Sequence, residues 1–494
     1  MIRARTGFWM GLLFLAVQVP VSAQRLTLSE AIETARTRSV AALQAKHAFV
    51  STYWAWRSYQ ASRLPSLRLY GNLLNFDRSL ALLQDPGTGE MVYANSYNLQ
   101  NSLGLALSQN LTFSGGTLSV YSDLSRIDQF GTNRKLTWYA QPITVSYRQP
   151  LFSYNRFKWD KLISPKEYEV GKRTYIENME QINIRTVSAY FNLLLAQMNQ
   201  EVAQTNYMNT GTMRSVAAER MKLGSVTRDE YLQLELRMLN DSISINESSI
   251  RVREARMILN SLLGYDESFE ADPVLEERLP DVLMDYDMVM RKALDNSTFD
   301  LLNDIKLLNA ESAVARAKAD RGISMSFNAR FGLSNTAPEL PAVYQNPLNQ
   351  EVLGLSFNVP IFDWGLGRGR VQRAKAAEEV ARAQVQQSEN DYRRQIFTAV
   401  GQFNSQRQQC HSSRRAKEVA EERYTLMMEK FRRGNASVLE LNSAQSEKDA
   451  AVRRYISDLS NYWNYYYGLR RIALYDFIGG KDLDVPFGEM INQP

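Results

Sequence analysis

The feature that most constrains this chain is that its sequence repeats itself. Gln149-Pro150-Leu151-Phe152 matches Val359-Pro360-Ile361-Phe362, with the two prolines 210 positions apart. Gly224-Ser225-Val226-Thr227, followed by Glu230, matches Gly434-Asn435-Ala436-Ser437, followed by Glu440, again at an offset of 210. Upstream, Ala35 and Ala293 are 258 apart, as are Ser66 and Ser324. The first half therefore carries an insertion of 48 residues between Ser66 and Pro150. The expected organisation is a repeat over 24–264, a joining segment over 265–284, a second repeat over 285–475 and a C-terminal tail over 476–494.

Each repeat reads as helix, strands, then two long helices. Met325, Phe327, Ala329, Phe331 and Leu333 alternate with polar residues, as do Leu353, Leu355, Phe357, Val359 and Ile361. In the first repeat Leu67, Leu69, Gly71 and Leu73 alternate likewise, and so do Ile143, Val145 and Tyr147. Strands with one apolar and one polar face suit a barrel wall between lipid and water. A soluble sheet with one wet face has the same alternation. The segment Arg156 to Leu223 has few breakers, and a helix of that length spans ~100 Å at 1.5 Å per residue. Ile184, Val187, Phe191, Leu194 and Met198 keep heptad spacing, as do Leu232, Leu236, Leu239, Ile243, Asn246 and Ile250. Such seams bury a narrow stripe against another helix. The neighbouring helix of the same hairpin, turned at Gly224 or Gly434, is the expected partner.

The N-terminus sets the compartment. Arg3 and Arg5 precede an apolar run from Phe8 to Val19, and Val21-Ser22-Ala23 offers small residues for cleavage. That pattern is a secretory signal peptide over 1–23. No later apolar run reaches the length of a membrane helix, so a spanning segment would have to be a β-barrel. The 58 basic and 53 acidic residues nearly balance, which argues against a nucleic-acid partner. His47, His411 and the single Cys410 stand apart, so neither a metal centre, a cofactor site nor a disulfide framework is expected, and no residues suggest an enzyme. Four alternating strands cannot close a barrel, and an open sheet in lipid leaves backbone groups unpaired at several kcal/mol each. Several copies must therefore contribute to one ring.

With those landmarks in place, the sequence resembles the TolC-like outer-membrane efflux protein family. The resemblance rests on the duplicated strand-to-helix elements around Pro150, Phe152, Pro360, Phe362 and Gly365. It rests also on the turns Met221 to Thr227 and Phe431 to Ser437. It implies an α+β membrane protein: a homotrimer with four strands per subunit in an outer-membrane β-barrel, above a long α-helical coiled-coil tunnel in the periplasm. It implies contact with outer-membrane lipid, a periplasmic membrane-fusion adaptor and an inner-membrane pump of RND or ABC type. The function implied is a passive conduit for efflux or type I secretion of small molecules or proteins. A periplasmic coiled-coil structural protein without transport is the rival reading.

Two roles compete at the turns. Thr227 and Ser437 suit helix N-caps, with Glu230 and Glu440 completing capping boxes. By family position, Asp229, Glu230, Phe431 and Glu440 fall where a periplasmic gate would lie. Lys222, Gly224, Thr227, Arg433, Gly434 and Ser437 fall at the tips that dock the adaptor. Phe431 stands where the family has a latch tyrosine, Ala436 where it has an arginine, and Ser443 where it has a second acid, which implies different closing contacts here. The Gly365-x-Gly367-x-Gly369 run reads as a bend from strand to helix rather than a phosphate loop. The insertion, about 76–138, reads as an extra hairpin: extracellular, a lumen plug or additional wall, with a position outside the membrane favoured. The aromatics Trp54, Trp56, Trp138, Trp159 and Trp364 fit either a membrane interface or junction packing.

Overall fold

A computed structural model describes residues 24–84, 87–131 and 134–492; the signal peptide expected over 1–23 lies outside them. In chain order the elements are β1 (Gln24–Leu26), α1 (Leu28–Arg38), α2 (Val40–Ser62), β2 (Ser66–Gln84), β3 (Met91–Leu111), β4 (Gly116–Gln129) and β5 (Lys135–Leu151). There follow α3 (Arg156–Lys222), α4 (Arg228–Leu263), β6 (Ala271–Pro273), α5 (Tyr286–Asn296) and α6 (Phe299–Arg321). The chain ends with β7 (Ser324–Ala337), β8 (Leu348–Asn358), α7 (Leu366–Arg432), α8 (Val438–Ala473), β9 (Tyr475–Asp476), β10 (Lys481–Asp482) and α9 (Phe487–Asn492).

The duplication is legible in the helix lengths. α1 and α5 each have 11 residues, α2 and α6 each 23, α3 and α7 each 67, and α4 and α8 each 36. The surplus of the first half is β3 and β4, which have no counterpart between β7 and β8.

The chain divides into two compact units that each draw on both repeats. One holds the described residues up to Ala45 with Ile176–Lys292 and Ile396–Leu483. Within it β1 pairs with β6 in parallel, a short clasp between the start of the first repeat and the segment that joins the two repeats. Val187, Tyr190, Phe191 and Leu193 of α3 are buried there, as are Ile396 and Phe403 of α7 and Tyr462 and Tyr466 of α8. Cys410 is buried in the same unit, where its thiol donates to the Asp458 carbonyl at 3.2 Å and burial pushes it up to about 11. A covered thiol held in its neutral form is a poor nucleophile.

The other unit holds Lys46–Tyr175, Ala293–Gln395 and the C-terminal stretch from Asp484. Its centre is one antiparallel sheet in the order β2-β3-β4-β5-β7-β8. The fold is of the expected kind, but the sheet has six strands, not four. The presumed extra hairpin over 76–138 is part of this sheet, because β3 bonds along β2 on one side and β4 on the other. Local alternation cannot reveal that; it is fixed by pairing between distant segments.

Candidate conduit wall and helical tips

The sheet leaves much of its apolar side uncovered. Its apolar side is open: Leu67 is 71% exposed, Leu353 65%, and Leu105, Phe331, Leu355 and Phe357 are exposed as well. Its covered residues include polar ones, Ser125, Gln141 and Thr144, the last at 0%. Water would penalise that arrangement, since apolar area left in water forfeits about 25 cal/mol per Å². A lipid-facing wall with a polar lumen favours it.

The four helices that enter and leave this sheet do so at one end of its strands, through α2–β2, β5–α3, α6–β7 and β8–α7. At the two repeated joints the chain turns on residues with positive φ: Phe152 at 59° and, in the second repeat, Trp364 at 54° with Gly365 at 85°. The Gly365-x-Gly367 run is organised by Asp363, whose carboxylate accepts from the N–H groups of Gly365 at 2.9 Å and Gly367 at 2.6 Å. Asp363 thus caps α7, a role that the glycine spacing concealed. Phe152, Ile361, Phe362 and Trp364 are all exposed around these joints, beside Pro150 and Pro360. Trp56 instead stacks on Tyr168 at 5.6 Å, so the aromatic group divides between an open rim and junction packing.

The hairpin tips are built alike. Gly224 and Gly434 lie at φ 73° and 85°, the left-handed region that closes a helix when no Cβ interferes. Ser225 N–H donates to the Arg220 carbonyl at 3.0 Å, and Asn435 N–H to Lys430 at 2.9 Å. The returning helices carry reciprocal caps. Thr227 N–H donates to the Glu230 carboxylate at 2.8 Å and Glu230 N–H to Thr227 Oγ1 at 3.2 Å; Ser437 and Glu440 repeat both distances. These backbone N–H donors hold both glutamates below the usual carboxylate range. Asp229 accepts from Gln233 at 2.8 Å, while Lys222 and Arg433 pair with Glu219 and Glu429 on their own helices.

Between the two tips Phe431 is buried, packed with Met213, Ala217, Val226, Leu234, Val438 and Leu441. Above that cluster Asn209 donates to the Tyr424 hydroxyl at 2.8 Å and Asn206 to Asp449 at 2.8 Å. The first and second hairpins are thus joined by an apolar plug and two polar links.

Two features of the helices differ from, or go beyond, the sequence reading. The α3 seam is buried at Val187, Phe191 and Leu194, as expected. The α4 seam is not: Leu236 is 61% exposed, Ile250 64%, and Leu232, Leu239 and Ile243 are exposed too. α4 packs within the chain through Leu234, Asp241, Ser248, Val252 and Leu259 instead. Heptad spacing identifies a stripe that wants a partner, not which chain supplies it. The second feature is a brace with no local sequence signal. Glu180, fully covered, accepts two bonds from Arg470 at 3.0 and 3.1 Å. Arg470 also reaches Asp476 at 3.1 Å, and Asp476 accepts from the Tyr466 hydroxyl at 2.6 Å.

An antiparallel sheet with an open apolar side, together with long paired helices, is an architecture that solved outer membrane channels share. Residues 300–473 match the family described as outer membrane efflux protein. The chain superposes on the CmeC outer membrane channel of Campylobacter jejuni with a TM-score of 0.66 at 16% identity, covering 94% of this chain and 88% of that one. For VceC of Vibrio cholerae the TM-score is 0.63 at 14% identity, with 92% and 97% covered. The open state of the MtrE outer membrane channel of Neisseria gonorrhoeae gives 0.56 at 14%, with 93% and 91% covered. No curated protein matches the sequence. The family match covers only 300–473, while the superpositions show the fold of such channels over nearly the whole chain.

Proposed function

We propose that this protein is the outer membrane conduit of a tripartite efflux or secretion system. The observation that carries the reading is the sheet's broad open apolar side, with Ser125, Gln141 and Thr144 among its covered residues. Such a wall is stable only in lipid, and its backbone edges are satisfied only by further copies. The exposed α4 stripe asks for the same partner, because Leu232, Leu236, Leu239, Ile243 and Ile250 form a coiled-coil seam that the described residues leave largely uncovered. A homotrimer meets both requirements. The helical hairpins then lie in the periplasm.

The tips around Lys222, Gly224, Thr227, Arg433, Gly434 and Ser437 are the docking points for a periplasmic membrane-fusion adaptor. An inner-membrane pump of RND or ABC type provides the energy. Transport itself is passive: the chain contributes a water-filled route and no chemical step. At the mouth, Glu230 and Glu440 act first as helix caps. Phe431 holds the two hairpins together from inside, and the exposed Asp229, whose carboxylate accepts from Gln233 on its own helix, faces the opening. A periplasmic structural coiled coil would share the helices, but an open apolar sheet would make it aggregate.

Deletion of the gene, followed by cell fractionation of a complemented strain and accumulation of a fluorescent efflux substrate, tests this. Outer-membrane location with increased accumulation on deletion is expected. A soluble periplasmic protein whose loss leaves accumulation unchanged contradicts the proposal.

A further inference from the structure

The surplus strands β3 and β4 continue both faces of the sheet without a break. One cross-strand row runs Leu67, Leu107, Val120, Val145, Phe331 from β2 to β7, on the open apolar side. The adjacent row runs Ser66, Ser108, Ser119, Ser146, Arg330 on the other side. A slip of one residue in β3 or β4 would exchange these faces. The two strands therefore obey the same lipid and water demands as the strands shared with the second repeat. The hairpin is also tied into the wall across its own backbone. The Tyr70 hydroxyl on β2 passes over β3 to donate to Asp123 Oδ1 on β4 at 2.5 Å. It can do so because β3 has Gly104 there, where a Cβ would strike both the Tyr70 ring and the Asp123 carboxylate.

Resting on the membrane-conduit reading, we propose that all six strands are transmembrane wall and that the edges of β2 and β8 each pair with a second copy of this chain. β2 leads away from α2 and β8 leads back to α7, so neighbouring copies meet antiparallel and the alternation of strand direction continues around the ring. Three copies at six strands each make 18 strands, the porin size class whose barrels leave an aqueous channel rather than a side-chain-filled interior. The family resemblance alone implies 12. The insertion thus widens the outer-membrane passage instead of decorating it.

Single cysteines at Leu103, Leu105 and Leu107 against Ser102, Ala106 and Ser108, in the full chain carrying Cys410→Ser, test this in intact cells with a membrane-impermeant maleimide. Slower migration of unboiled than of boiled protein checks that each variant is folded, and a neighbouring position on the same face replaces any that is not. Labelling at the second set at least tenfold above the first is expected, since lipid shields one face while the lumen wets the other. Equal labelling of both sets in an outer-membrane protein overturns the six-strand wall and leaves the conduit standing. Absence from the outer membrane overturns both.

Discussion

At the residue scale the tips show how one side chain can satisfy two readings. Glu230 and Glu440 were legible as capping partners because S/T-x-x-E is a local pattern, and both boxes close in the structure. Removing the cap hydroxyl in Thr227→Ala or Ser437→Ala is expected to weaken the first turn of α4 or α8 by about 1 kcal/mol. Amide exchange at Glu230 or Glu440 measures it, and unchanged protection would show that the caps are incidental. The depressed acidity of the two glutamates has a definite sign. Their folded-state values lie below the unfolded one, so the caps contribute fully above the ordinary glutamate range and are lost as pH falls through the depressed values. Faster tip exchange in acid is therefore expected. Glu230→Gln with Glu440→Gln keeps the box geometry and should flatten that dependence. Asp363 went unread for a physical reason: its partners are backbone N–H groups, and glycines at 365 and 367 advertise flexibility, not a cap.

At the scale of elements the repeat gave the long hairpins and the extent of α3, because a duplicated hairpin carries its own turn and cap signals. Before the strands, however, it read one helix where the structure has two, α1 with α2 and α5 with α6. What pairs with what was less visible. The Glu180–Arg470–Asp476 brace joins residues 290 positions apart, with nothing near either end to announce it. Glu180→Ala would leave Arg470 covered without its main counter-charge, at a cost of about 3–5 kcal/mol. A loss of that size in the unfolding free energy from a denaturant titration is expected; one below about 1 kcal/mol would mean that solvent already reaches the pair. The α4 seam is the converse case, where periodicity was read correctly and its partner was not. Leu236→Glu with Ile243→Glu should leave helix content intact, since both side chains lie outside their own chain's packing. The expected outcome is an assembly reduced to monomers by mass measurement. A full-size multimer would show that another surface joins the copies.

At the scale of the whole molecule, a sheet that cannot close, an apolar face that cannot meet water and a helix stripe without a partner are one problem with one solution. Copies of the chain around a common axis in a bilayer satisfy all three. The alternation of Leu103, Leu105 and Leu107 was visible in the sequence, yet their place between β2 and β4 in the sheet was not, because a strand's neighbours are set by the rest of the chain. The most direct test of the account is the current through purified full-length protein reconstituted in a planar lipid bilayer. Discrete steps of ion conductance from a multimer extracted from the outer membrane are predicted. A protein that stays monomeric in buffer and passes no current through the bilayer would contradict the conduit outright.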